Sequence, residues 1–219
     1  MLRAAGQWPS VYYSIQRLTR TYRFERLVWR DTDICIEGPP GSGNTFFVAA
    51  FSMANPGARV ADHHHVVAQV KRAISFGVPT VSLLRDPIDC ALSRSSAWRT
   101  LDLADTVLKQ WIAFFETDLV LENSVLASFE TLTHSPGIVI GAINQRFGSA
   151  FKEIIPPREE VFAEMDQRRS DQFGAAQENP NRPDPRRPKP PGEWRAAIAG
   201  LPEASRAMHR YEQISGRAL

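Results

Sequence analysis

From Asp33 onward, short runs of apolar residues alternate with longer amphipathic stretches, and turn-forming clusters separate them. ICIEG, beginning at Ile34, is too short for a buried helix and breaks at PPGSGNT; FFVAAFSM then reads as a helix closed by Asn55-Pro56-Gly57. A second short strand is predicted over 58–61, and a helix from Val66 to Phe76. PTVSLLR forms a third strand of the wholly buried type. Asp86 follows it as an N-cap, with Pro87 at the first helical position and Asp89 in the first turn, so a helix starts where the strand ends.

Beyond this β-α-β-α-β unit, a helix starting near Asp102 sets Leu101, Ala104, Leu108, Trp111, Phe115 and Leu119 at steps of three and four on one core-facing stripe. SVLASFE reads as a further strand. Ser135-Pro136, with Ile140, Ile143 and Phe147 before Gly148, gives a helix with cap, proline and glycine stop. Residues 156–193 are crowded with Pro, Arg, Asp and Gln, and EVFAEMDQ is the one helix predicted before a proline-rich lid at about 175–193; GEW and an amphipathic terminal helix end the chain. Strands alternating with helices predict an α/β fold with a central, mainly parallel sheet.

Ahead of this domain, 33–219, lies a basic extension, 1–32. Residues 1–30 contain six arginines against Glu25, and Val11, Ile15, Leu18 and Tyr22 recur at helical spacing. That stripe predicts an amphipathic helix docked on its own domain, with weak contact of its basic surface to an anionic membrane as the other reading. A formal net charge of +2 over 219 residues argues against nucleic acid as a partner and suits an anionic small ligand. Cys35 and Cys90 lack CxxC spacing and read as free thiols of a reducing, cytoplasmic setting. No apolar run has the roughly 18 residues of a membrane span.

The chemistry concentrates at two strand-to-helix junctions. In GPPGSGNT, successive backbone N–H groups and the positive end of a helix form an anion site. Read as a nucleotide-binding P-loop it has Gly38, Gly43 and Thr45, but Asn44 stands where the phosphate-reaching lysine belongs. LLRDPIDCALSR repeats the logic, with Arg85 ending a strand, a helix starting at Asp86-Pro87 and Ser93 about two turns along it.

PGSGNTF resembles the 5′-phosphosulfate loop of sulfotransferases, and Arg85 with Ser93 resembles that family's 3′-phosphate element. RPKPPGEWR is similar to the family's Arg-Lys-Gly-x-x-Gly-x-Trp segment at Arg187, Gly192 and Trp194, departing at Pro188 and Lys189, and SFETL resembles its Tyr-Glu-Asp-Leu strand ending with Phe129 in place of tyrosine. The resemblance runs from about Cys35 to Trp194. It implies a P-loop-NTPase-like three-layer sandwich and a co-substrate, 3′-phosphoadenosine 5′-phosphosulfate. Ser42, Gly43, Asn44 and Thr45 then hold the 5′-phosphate, Phe46 takes the place beside the adenine, and Arg85, Ser93, Arg187 and Gly192 serve the 3′-phosphate. Gly41 belongs to the same binding loop, at the place where many members carry Lys or Arg.

Sulfuryl transfer needs in-line positioning and charge stabilisation, with a base where the acceptor is a hydroxyl. Asp62-His63-His64-His65 follows the predicted second strand, and the family often places a base histidine at this turn. His63 and His64 are the catalytic candidates, with Asp62 to orient one of them. A metal reading of the three histidines lacks a convincing ligand spacing, and no metal is expected. Acceptors as different as small molecules and carbohydrates fit equally, and oligomeric state is not encoded in any motif. Two other classes stay open: a P-loop kinase or NTPase, and a nucleotide-binding relative without turnover.

Overall fold

The computed structural model of the chain describes residues 5–19, 24–174 and 190–219. Its centre is a sheet of β1 (Ile34–Glu37), β2 (Val60–Asp62), β3 (Thr80–Leu84) and β4 (Val125–Ser128), all parallel, in the order β2-β1-β3-β4. The helices between them are α2 (Asn44–Ala54), α3 (Val67–Phe76), α4 (Pro87–Trp98), α5 (Ala104–Phe115) and α6 (Asp118–Asn123). After β4 come α7 (Phe129–His134), α8 (Pro136–Phe147), α9 (Arg158–Phe173), α10 (Gly192–Ala199) and α11 (Pro202–Ser215); α1 (Pro9–Thr19) precedes the sheet.

Strand residues alternate between two faces, and each face has its own core. Ile34, Ile36, Val81, Leu83, Val125 and Ala127 pack with α2, α8 and α9. Leu84 and Leu126, pointing the other way, pack with α4, α5, α6 and α11 around the fully buried Trp111. Helices on both faces of a parallel sheet make three layers.

The strand order has a consequence for function. β1 connects outward to β2 through α2 on one face, whereas β3 connects to β4 in the opposite direction through α4, α5 and α6 on the other face. The adjacent carboxyl ends of β1 and β3 therefore flank a topological switch point, where the two connections diverge and leave a crevice.

Several expectations need correction. α1 buries Tyr12, Tyr13 and Gln16, while Val11 and Leu18 of the expected stripe are exposed. The tyrosines win because their hydroxyls find partners inside: Tyr13 Oη donates to Gln69, and Tyr12 Oη lies 2.7 Å from His64 Nδ1. Tyr22 and Arg20 lie outside the described residues, as do Arg187, Lys189 and nearly all of the proline-rich lid. The stripe from Leu101 to Leu119 is interrupted: a 3₁₀ turn over Leu101–Leu103 precedes α5, and Thr117 caps a separate α6, accepting from Leu119 N. β4 stops at Ser128, which accepts from the Thr131 amide and so begins α7 where strand was expected at Phe129 and Glu130. β2 reaches Asp62, one residue past its predicted end.

Cys35 and Cys90 are buried free thiols on β1 and α4, as read from the sequence. Burial pushes the Cys90 thiol up to about 12 and Cys35 well above its ordinary value. No helix among the described residues is long and apolar enough to cross a membrane.

Candidate functional site

The first junction is a loop whose backbone only glycine tolerates at two points. Gly41 (φ 89°) and Gly43 (φ 98°) are left-handed, and a Cβ on Gly41 would stand 2.7 Å from the Cys90 carbonyl oxygen at the start of α4. Any side chain at position 41, a lysine or arginine included, is strained for that reason. Ser42 is fully buried; its hydroxyl and its amide both turn to Pro39 O, at 2.7 and 3.2 Å, and hold the loop closed. Gly43 is the N-cap of α2 and offers no side chain, so the N-cap supplies no acceptor for the leading N–H groups of that helix. Asn44 and Thr45 open α2, and Phe46 behind them is buried against Phe162 of α9, with ring centroids 5.8 Å apart.

At the second junction Arg85 leaves β3 and reaches across the switch point, donating from Nη1 to Gly41 O at 2.9 Å. Its guanidinium lies 3.9 Å from the centre of the Phe129 ring. Phe129 is thus a platform for Arg85. Asp86 caps α4, its carboxylate accepting from Ile88 N at 2.8 Å and Asp89 N at 3.0 Å. The helix end expected to assist a phosphate is therefore occupied by the protein's own carboxylate, and Arg85 carries the positive charge there. Ser93 sits half-buried farther along α4. Gly192 begins α10, which packs on α4 and is tied to it by an ion pair from Arg195 to Asp89. The GEW segment lies on the helix that follows Arg85.

The histidine turn connects the loop with β2. Glu37, fully buried at the end of β1, accepts from the backbone N–H of His64 at 2.9 Å and of His65 at 2.8 Å. These bonds pin a turn in which His63 (φ 59°) and His65 (φ 57°) are both left-handed. Burial raises Glu37 to about 8, against the pull of the two N–H donors.

The three imidazoles go to different places. His63 Nδ1 lies 2.5 Å from Asp62 Oδ1, and its Nε2 is 3.1 Å from Thr45 Oγ1. His64 is buried against Tyr12. His65 Nδ1 donates to Gly38 O at 2.7 Å, and Asn44 Nδ2 lies 3.1 Å from the same ring nitrogen. Asp62 also accepts from Arg26 at 3.0 Å; burial alone would raise its pKa, but His63 and Arg26 outweigh it and hold the carboxyl below its ordinary range.

A carboxylate on Nδ1 fixes the neutral tautomer of His63 with its proton on that nitrogen, leaving Nε2 as acceptor for a hydroxyl. Asp62, His63 and Thr45 thus form a line of hydrogen bonds ending on the first turn of α2. Among the described residues no cluster of three or more His, Cys, Asp or Glu has an arrangement that would hold a metal ion.

Sequence reading missed Tyr12, Arg26, Glu37 and His65 as members of this site. A charged residue closing an otherwise apolar strand was the available signal for Glu37; the contacts of Arg26 and Tyr12 span 36 and 52 residues and leave no local trace.

No family model, curated protein or solved structure matches this chain. The case for function rests on the geometry.

Proposed function

We propose that the crevice between β1 and β3 binds 3′-phosphoadenosine 5′-phosphosulfate and that the chain transfers its sulfuryl group to a hydroxyl acceptor, within a P-loop-like version of the three-layer fold. The observation that carries this reading is the meeting of Arg85 with Gly41 at the switch point. It joins two anion-binding elements far apart in sequence at the one place where an open α/β sheet provides a crevice. The uncapped start of α2 suits the 5′-phosphosulfate, and Arg85 suits the second phosphate.

In this reading the acceptor oxygen attacks sulfur in line as the bond from sulfur to the bridging phosphate oxygen breaks, releasing adenosine 3′,5′-bisphosphate. The hydroxyl proton passes to His63 Nε2, and the Asp62 carboxylate, held in place by Arg26, stabilises the imidazolium that results. Thr45 must turn off Nε2 for this step, and its hydroxyl then serves the 5′-phosphosulfate. His64, buried on Tyr12, is the weaker of the two histidine candidates. With glycine at position 41, charge on the bridging oxygen falls to the N–H groups of α2.

The kinase reading is disfavoured by two features: Asn44 is neutral and its amide turns toward Gly38 O, and the residue closing β3 is a cation instead of an acidic magnesium ligand. The test is calorimetric titration with adenosine 3′,5′-bisphosphate, beside ATP with magnesium, on the wild-type chain and on Arg85→Ala and Ser93→Ala. Binding of the bisphosphate, weakened by both substitutions, supports the reading. Preference for magnesium ATP, or binding of neither, refutes it. Once an acceptor is found, His63→Ala should abolish transfer while leaving bisphosphate affinity intact.

A further inference from the structure

The face of α1 that turns outward carries an apolar row. Trp8, Val11, Ile15 and Leu18 follow one another at helical steps, and Trp8, Val11 and Leu18 are 66%, 48% and 85% exposed. Trp8 belongs to the helix in effect, since its carbonyl accepts from Tyr12 N at 2.9 Å. The row is held outward by the bonds on the other side of the segment. Ala68 N donates to Gly6 O at 2.8 Å, Gln7 Nε2 to Ala113 O at 2.7 Å, and Tyr12 and Tyr13 are fastened to His64 and Gln69. Rolling the helix to bury Leu18 would break all of them, so packing on its own domain is not an alternative for this face.

Charge selects among occupants. Residues 1–30 carry six arginines and one acid, a local excess of +5. Arg17 is exposed on α1, and Lys71 of α3 lies 6.0 Å from the Trp8 ring centre. Four side chains on a single helix face fall short of the roughly 800 Å² per partner of a stable protein interface. A narrow row of Trp, Val, Ile and Leu edged by cations matches a helix lying in the plane of a membrane surface.

We propose that α1 docks this protein on anionic lipid bilayers through Trp8, Val11, Ile15 and Leu18, with Arg17 and Lys71 on the headgroups. The association is peripheral and reversible, and it is weakened by salt. It does not depend on the nucleotide reading: the row lies on the outward side of α1, away from Tyr12, which meets the histidine turn at His64.

Co-sedimentation of the full chain with phosphatidylglycerol–phosphatidylcholine vesicles tests it, beside vesicles of phosphatidylcholine alone. The expected result is pelleting with the anionic vesicles only, reduced about tenfold or more by Leu18→Asp and reduced by added salt. Circular dichroism and an unchanged urea unfolding midpoint of Leu18→Asp show that the variant is folded. Three outcomes overturn the proposal: no pelleting by the folded wild type, equal pelleting with both vesicle types, or a wild-type dimer that Leu18→Asp converts to monomer, which would make the row an interface between copies.

Discussion

The two junctions that flank the crevice are built from the same parts, a buried strand, a short turn and a helix, yet they treat the helix end in opposite ways. After β1, Gly43 leaves the N-terminus of α2 without a side-chain cap, and glycines at 41 and 43 let the backbone curl around it. After β3, Asp86 caps α4 with two hydrogen bonds, and the positive charge is moved to Arg85. The first junction can offer an anion backbone dipoles; the second offers it a guanidinium, held by Gly41 O and the Phe129 ring. A strand-to-helix turn thus has no single electrostatic meaning, and what sits at the N-cap decides it.

Substitutions at the two junctions should separate these roles. The largest effect is expected from Gly41→Ala, which forces a side chain into left-handed backbone against the Cys90 carbonyl. A loss of about 3 kcal/mol, read from urea unfolding midpoints, is predicted. Arg85→Ala should weaken adenosine 3′,5′-bisphosphate about thirtyfold by calorimetry, equivalent to about 2 kcal/mol. Asp86→Ala breaks the comparison if the account is wrong: it should cost about 1 kcal/mol of stability, yet bisphosphate affinity should stay equal or rise, because a carboxylate is removed and N–H groups are uncovered. A fall in affinity would assign Asp86 to the ligand.

The smallest effect is a slope with pH. Glu37 keeps its proton in the folded chain up to about 8, whereas an ordinary glutamate ionises near 4.5. Between these values the folded state binds the extra proton, so the Glu37 contribution to stability declines as pH rises and levels off above about 8. Glu37→Gln should flatten that decline, measured as the difference in urea midpoint between about pH 5 and about pH 9.

How far the sequence foretold this arrangement depends on how local the cause was. Strands β1 and β3, the helices after them and the cap at Asp86 were legible because apolar runs, glycine-proline breaks and a capping residue act within a few positions. α7 was missed because nothing punctuates Ser128-Phe129; the helix is set by the Ser128 cap, which reads equally well as strand. The face of α1 was misassigned because apolar spacing says nothing of tyrosines that bury by bonding His64 and Gln69. At the site, Asp62 and His63 were visible as neighbours, but the link to Thr45 and the Glu37 clamp exist only once β1 and β2 pair in register.

If one nucleotide spans both junctions, backbone amide shifts on titration with adenosine 3′,5′-bisphosphate will report it at both. The account predicts the largest changes at Gly43, Asn44, Thr45 and Phe46 together with Arg85, and small ones at Ile88 and Asp89, whose amides Asp86 already holds. Changes confined to one junction, or lying away from the ends of β1 and β3, would contradict it.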